Sequence, residues 1–482
     1  MGALNADGRL AAFKAYDVRG RLPDELNERM VERIGRAYAT VIQPGRVVVG
    51  YDVRLSGPAL VEALIEGLTA SGVDVQCIGL CGTEEVYFAT AHLGADGGIM
   101  VTASHNPKDY NGMKMVRAGS RPISADSGLQ QIEECVRSGH FSERGGRGRV
   151  SDVSVRPAYV EHLLSYVRRE ALRPLKIVTN AGHGCAGPVL DALAAELPFE
   201  LVRLQHEPDG EFPAGVPNPL LEENRGVTAD AVRAHGADLG VAWDGDFDRC
   251  FLFDEHGVFI EGYYVVGLLA QMALREAPGG KVIYDPRLTW NTLDLVGAAG
   301  GTAVLSRSGH AFIKEKMRAV DAVYGGEMSA HHYFRRFFYC DSGMIPWLLV
   351  AQAITEQGAL STLVGERMRM FPASGEINRR LSAPDQALAA IVAHYQGQLG
   401  QGQGGQSKGG QGQGAMIDRT DGISFEFARW RFNLRTSNTE PLVRLNVESR
   451  GDAALMQQKT AELLALLEPF AAGGGTGMDR PG

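Results

Sequence analysis

The sequence predicts an α/β protein built from three similar α/β domains with mixed, largely parallel sheets, followed by a C-terminal α+β domain. The first observation is a recurring pattern of β-branched run, polar turn and helical apolar spacing. It appears as RVVVGYDVRLSGPALVEALIEGL from Arg46, LKIVTNAGHGCAGPVLDALAAEL from Leu175 and KVIYDPRLTWNTLDLVGAAGGTAV from Lys281. The second is spacing: the copies stand more than 100 residues apart, too far for a solenoid and suited to separate domains. The third is the change of pattern near the end. There GISFEFARWRFNLRTS and PLVRLNVESR read as strands, and DAALMQQKTAELLALLEPF reads as an amphipathic helix.

In chain order, the first copy runs from its helix into SGVDVQCIGL, and the third runs into GGTAVLS. A strand, a helix and a second strand make a βαβ unit, which places strands in parallel under covering helices. The expected domains are 1–150, 151–256, 257–370 and 371–470, with a disordered tail over 471–482. Residues 396–414, QGQLGQGQGGQSKGGQGQG, cannot build a core and are expected to form a mobile loop. The GxGxxG within it (Gly400, Gly402, Gly405) lacks a preceding strand and a following helix, so it is read as chance.

At 482 residues the chain exceeds a single core. Its net charge of -9 leaves no basic excess for nucleic acid or an anionic membrane, whereas a small phosphorylated ligand needs only a few local cations. MGALNADGRL lacks the pattern of a signal peptide, Ala6 breaks the myristoylation motif, and no apolar run approaches the roughly 18 residues of a span. The six cysteines are scattered without zinc spacing, and Cys77 and Cys81 read as small core residues. A reduced, cytoplasmic setting is expected.

The chemistry sits in a few short stretches. In ADLGVAWDGDFDRCFLFD an apolar strand delivers Asp244, Asp246 and Asp248, alternate residues that an extended chain points to one side. Three close carboxylates repel unless a cation lies between them, and oxygen ligands alone suit Mg²⁺. A calcium loop counted from Asp244 would place Glu255 correctly. It fails at its sixth position, where Arg249 stands instead of glycine, and CFLFD continues as a strand. Arg249 reads equally as an ion-pair partner or a phosphate contact.

Ser104 and His105 in VTASHNPKDY suggest a hydrolase, but neighbouring side chains are expected to point apart and no GxSxG elbow is present. Ser104 is therefore a poor acyl nucleophile and a candidate carrier of a phosphoryl group, a transfer that depends on positioning and charge neutralisation. No P-loop or kinase motif points to a nucleotide donor. YGGEMSAHHYF presents Glu327, Ser329, His331 and His332 on a Gly-Gly turn, either a polyhydroxyl-binding loop or a plain polar turn; the adjacent histidines are not expected to share an ion. LRTSNTEP places Arg435, Ser437, Asn438 and Thr439 between two strands, either a phosphate cradle or a capped hairpin.

Together these stretches resemble the α-D-phosphohexomutase family, in its bacterial phosphomannomutase branch. KAYDVRG, TASHNP, DGDFDR, GEMSAHH and RTSNTEP stand in the family's order across nearly the whole chain, and YDPRLTWNT, SGHAFIK and AHHYFRRFFYCDSGMIPWLL carry the resemblance to the branch. The resemblance implies four domains around a central cleft and a phosphoserine at Ser104. It implies one Mg²⁺ held by the phosphoserine oxygen, Asp244, Asp246 and Asp248. Ser104 would pass its phosphoryl group to mannose 1- or 6-phosphate, and the 1,6-bisphosphate would turn round and return its other phosphate, with a trace of hexose 1,6-bisphosphate as activator. Tyr16 and Arg19 would lie near the phosphoserine, and His105 and Lys114 would move protons or neutralise charge. Arg249 and His310 would line the site, with His310 as general acid/base. Glu327, Met328 and Ser329 would read sugar hydroxyls near His331, and Arg435, Thr436, Ser437, Asn438 and Thr439 would grip the phosphate that is not reacting.

The same resemblance leaves phosphoglucomutase or bifunctional activity open. A more distant reading is a non-catalytic, metal-dependent sugar-phosphate-binding protein. Hexose phosphates are the implied partners, for a monomer or weak dimer serving GDP-mannose supply. Two departures stand out: DPR, with Pro286 and Arg287, where many members have a lysine, and the Gln/Gly-rich insert, read as a passive surface loop.

Overall fold

A computed structural model describes residues 3–5, 8–142, 145–401, 415–436 and 442–471. Ser437, Asn438 and Thr439, residues 402–414 of the Gln/Gly-rich segment and residues 472–482 of the expected tail lie outside the described residues. The first part of that segment is not a loop: residues 396–401 extend the helix Pro384–Gln401, because adding residues to a helix already nucleated by PDQALAAIVAHYQ costs little compared with starting one, even across Gly397 and Gly400. Ala471, expected in the tail, forms a bridge with Leu381.

Four sheets organise the described residues. The first three share one plan. In the first, Arg46–Tyr51 lies between Asp74–Leu80 and Gly97–Val101, parallel to both, and Tyr110–Arg117 returns antiparallel beside Gly97–Val101. In the second, Lys176–Asn180 pairs in parallel with Glu200–Leu204 and Leu239–Trp243, and Cys250–Phe253 returns antiparallel. In the third, Lys281–Tyr284 pairs in parallel with Thr302–Leu305 and Tyr324–Gly326, and His332–Phe334 returns antiparallel. Each of these sets is a parallel core with an antiparallel return, and each sheet continues one strand further, with Val18–Arg21, Phe259–Ile260 and Cys340–Asp341 pairing antiparallel to the return strands. The last sheet is wholly antiparallel, in the order Ala373–Arg380, Leu442–Ser449, Trp430–Thr436, Ile423–Glu426, Met416–Asp418.

The parallel strands read as continuous apolar runs because both faces are covered; Val47, Val48 and Val49 are all fully buried. One continuous core joins residues of the first three units, including Tyr87, Tyr159, Trp243 and Trp347. The C-terminal sheet keeps a separate core around Tyr395, Phe425, Phe432 and Val447.

This plan places the chemistry. In each of the first three sheets, the connection that leads into the antiparallel return strand carries a motif: the serine stretch after Val101, the aspartates after Trp243 and the Glu327 stretch after Gly326. Topologically equivalent connections leave the same end of each sheet, so three distant stretches of sequence meet.

Candidate active site

Ser104 is the residue around which the site assembles. Its φ of 49° puts it in the left-handed region, unusual for a residue with a Cβ and costly unless neighbours hold it. They do. Its N–H donates to Thr102 Oγ1 at 2.8 Å, and Thr102 Oγ1 donates to Asp52 Oδ2 at 2.6 Å. Arg54, fully buried, donates to the carbonyls of Ser104 (3.0 Å), Asn106 (2.6 Å), Pro107 (2.8 Å) and Tyr110 (2.8 Å).

The twist corrects one sequence expectation. Ser104 and His105 do not point apart: Ser104 Oγ lies 3.0 Å from His105 Nδ1 and donates to Asp244 Oδ2 at 2.7 Å. The left-handed residue turns both side chains to one side, which an extended chain does not do. Arg249 Nη2 stands 3.1 Å from the same His105 nitrogen. Burial first, then the Arg249 charge, push His105 down to about 4, so it is neutral at pH 7.

The aspartates also converge differently from expectation. The strand ends at Trp243, and Asp244, Asp246 and Asp248 lie on a turn in which Phe247 takes a φ of 43°. A curled backbone aims them together where an extended one had been expected. Gly245 admits this approach: a Cβ there would stand 2.8 Å from the Ser104 carbonyl oxygen. All three aspartates are buried, and one carboxylate oxygen from each can lie within 4.8 Å of the others.

Lys114 bridges Asp246 and Asp248, at 2.7 Å from Asp246 Oδ2. Burial alone would lower the Lys114 ammonium, but the two carboxylates outweigh it and raise it, so it stays charged. Burial would raise Asp246, yet Lys114 outweighs that and holds it down; Asp248 is driven up by burial and by its acidic neighbours. The Oδ1 atoms of Asp244, Asp246 and Asp248 are buried without a hydrogen-bond partner in the described structure. Buried carboxylate oxygens left unbonded are costly, so this donor set fits a small divalent cation.

The remaining residues line a shared cavity of about 2250 Å³. Arg19 pairs with Asp17 at 2.7 Å and donates to Asn106 Oδ1 at 2.6 Å. Tyr16 meets His310 edge-on, with ring centroids 6.0 Å apart. His310 begins the helix His310–Val320, 3.5 Å from Lys314 Nζ, and burial with the nearby cations holds it well below its usual range. Glu327 Oε1 accepts from Gly309 N–H at 2.8 Å, and Ser329 Oγ stands 3.2 Å from His331 Nδ1. His331 Nε2 faces Asp248 at 3.6 Å, whereas His332 turns away to Tyr324 OH at 2.7 Å; the adjacent histidines do not share a site. Met328 and Thr436 also line the cavity, and Arg435 does so while paired with Glu376 at 2.9 Å.

Sequence reading missed a repeated support. Arg54 N–H donates to Asp52 Oδ1 at 3.0 Å, and Arg287 N–H donates to Asp285 Oδ1 at 2.9 Å. YDVR and YDPR occupy the same place at the end of the equivalent strands Arg46–Tyr51 and Lys281–Tyr284, and that shared position was the available signal. Each arginine reaches the motif of its own unit, Arg54 the serine stretch and Arg287 both Glu327 and Ser329 at 3.4 Å. The DPR departure therefore supplies a buried cation that braces the Glu327 stretch. Glu376, on the strand Ala373–Arg380, was also not singled out.

Fold and site together define a phosphotransferase framework, with a buried hydroxyl, an acidic triad and a cation-lined cleft. Four successive family models match the chain. Those described as "Phosphoglucomutase/phosphomannomutase, alpha/beta/alpha domain" I, II and III match residues 10–143, 157–257 and 261–371, and the C-terminal domain model matches 376–465. A Xanthomonas campestris protein named "Phosphohexose mutases" is 60% identical over 95% of this chain and 99% of its own length. A Salmonella typhimurium protein named "Phosphomannomutase" is 58% identical, over 95% of this chain and 99% of its own. The solved structure of a phosphoglucomutase/phosphomannomutase family protein from Burkholderia thailandensis aligns with a TM-score of 0.83 at 31% identity, covering 98% of this chain and 99% of that one. The chain belongs to the phosphoglucomutase/phosphomannomutase family.

Proposed function

We propose that this chain is a phosphomannomutase interconverting mannose 6-phosphate and mannose 1-phosphate through a phosphorylated Ser104. The observation that carries this reading is the Ser104 hydroxyl held 2.7 Å from Asp244 beside three carboxylates with unpartnered oxygens. The naming of relatives at 58% identity supports the choice of mannose. Asp244, Asp246 and Asp248, with an oxygen on Ser104, would hold Mg²⁺, which when bound neutralises phosphoryl oxygens.

The chain's own residues do the rest. Arg54 and Thr102 fix the serine backbone so that Oγ faces the cleft, and Lys114 contributes a permanent positive charge. In the forward half-reaction the free sugar hydroxyl attacks phosphorus, the bond from phosphorus to Ser104 Oγ breaks, and the hydroxyl proton moves to His310. Burial and the nearby cations keep His310 unprotonated before the transfer. After the bisphosphate turns round, Ser104 Oγ takes the other phosphoryl group and the proton returns to the sugar oxygen. Glu327, Ser329 and His331 read the sugar hydroxyls in both orientations, and Arg435 with Thr436 holds the idle phosphate. A trace of hexose 1,6-bisphosphate restores any dephosphorylated Ser104. Six free cysteines support a cytoplasmic setting.

The test is initial rate with mannose 1-phosphate and with glucose 1-phosphate, each with Mg²⁺ and a trace of bisphosphate, beside a Ser104→Ala control. Mannose turnover that dominates and vanishes in the control establishes the reading. Comparable rates make the enzyme bifunctional; sugar-phosphate binding without turnover refutes it.

A further inference from the structure

Arg435 and Arg444 stand directly opposite one another on paired antiparallel strands, a register that ordinarily costs stability between like charges. Both arginines line the cavity. The neighbouring strand Ala373–Arg380 supplies the counter-charge, where its pairing with Leu442–Ser449 shifts register between Ala373 and Glu376. The Glu376 carboxylate accepts from Arg435 at 2.9 Å on Oε2 and from Arg444 at 3.2 Å on Oε1. Arg287, from the third unit, approaches Oε2 at 3.6 Å. One carboxylate therefore engages three guanidiniums with both oxygens, and its side chain is only 13% exposed. Burial alone would raise this carboxyl, but the arginines pull it down to about 2, so it is ionised throughout the physiological range.

A carboxylate in this place occupies donors that a phosphate would use, because both present a pair of anionic oxygen acceptors to a guanidinium fork. We propose that Glu376 is an internal surrogate for the ligand's phosphate: a positioning residue that holds Arg435 and Arg444 ready in the empty protein and competes with the bound phosphate for them. This rests on the mutase reading above and deepens it. A bisphosphate that must leave its cradle and turn round needs a cradle that lets go. A resident anion weakens the grip and takes the arginines back as the phosphate departs.

The experiment compares wild type, Glu376→Gln and Glu376→Asp by calorimetric binding of inorganic phosphate, thermal unfolding and mannose 1-phosphate kinetics. Removing the competing charge should tighten phosphate binding about tenfold in Glu376→Gln, which is ~1.4 kcal/mol. Glu376→Asp, which draws the charge back by one methylene, should fall between it and wild type. KM and kcat should fall together in Glu376→Gln, as release becomes slower. Phosphate binding that is unchanged or weaker in either folded variant overturns the proposal and leaves Glu376 a structural ion-pair partner. If Glu376→Gln does not fold, the order of Glu376→Asp against wild type decides alone. Wild-type turnover measured alongside separates the two readings: phosphate binding without mutase activity refutes the function, whereas activity without the affinity order refutes only the role of Glu376.

Discussion

Arg54 lies outside the reacting groups, and its replacement by methionine should nonetheless remove most activity. The guanidinium donates to four carbonyls of the stretch that carries Ser104, and its side chain is buried against Asp52 at 3.4 Å. Burial pushes the Asp52 carboxyl up and the Arg54 guanidinium down despite their pairing, so the pair itself stabilises little. What Arg54 contributes is the order of the loop. Methionine fills similar volume but leaves four carbonyl acceptors, the buried one of Ser104 among them, and one buried carboxylate without their cation. Breaking a buried pair from one side costs about 3–5 kcal/mol. That lowers the first thermal transition by roughly 10 °C.

The effect on rate follows from geometry. Ser104 keeps its left-handed φ only while Thr102 and Arg54 hold the backbone, and a displacement near 1 Å costs about 10²-fold in kcat. Arg54→Lys should recover little, since an ammonium carries three donors and cannot span four carbonyls. Thermal unfolding and steady-state kinetics at a temperature where each variant is folded provide the assay. A folded Arg54→Met with kcat within about threefold of wild type would refute the reasoning.

Three further outcomes are expected. Ser104→Ala should abolish turnover and labelling by radioactive bisphosphate while the unfolding temperature changes by only a few degrees; labelling that persists would move the phosphoryl carrier elsewhere. Chelation should abolish activity and Mg²⁺ should restore it, whereas Asp246→Asn, which removes a carboxylate charge from the triad, should resist restoration at concentrations sufficient for wild type; equal restoration in both would place the cation at other ligands. The acid sensitivity of the C-terminal unit should depend on Glu376. Its folded value near 2 lies below its ordinary 4.5, so its contribution, of order 3 kcal/mol, is complete above about pH 4.5 and disappears as pH falls toward 2. The stability gap between wild type and Glu376→Gln should therefore narrow between pH 5 and pH 3, and a constant gap argues against this charge network.

The sequence carried what local chemistry writes into it. The three strand-turn-helix copies from Arg46, Leu175 and Lys281 were legible because β-branched runs and helical apolar spacing are short-range patterns. Ser104, the three aspartates and Arg435 stood out because their residue types cluster within a few positions. The antiparallel pairing of the return strands Tyr110–Arg117, Cys250–Phe253 and His332–Phe334 was harder to read, since pairing direction is a long-range property. Adjacent serine and histidine side chains face apart on an extended chain, and here the fold imposes a left-handed residue at 104, held by Arg54 from 50 positions away. Likewise no local signal ties Glu376 to Arg287, Arg435 and Arg444, because the strand register and the docking of the third unit bring those charges together. Sequence decides which groups are present and which local shapes they favour. Which groups share a buried volume, and hence which are charged and which can react, depends on packing that no short window of residues contains.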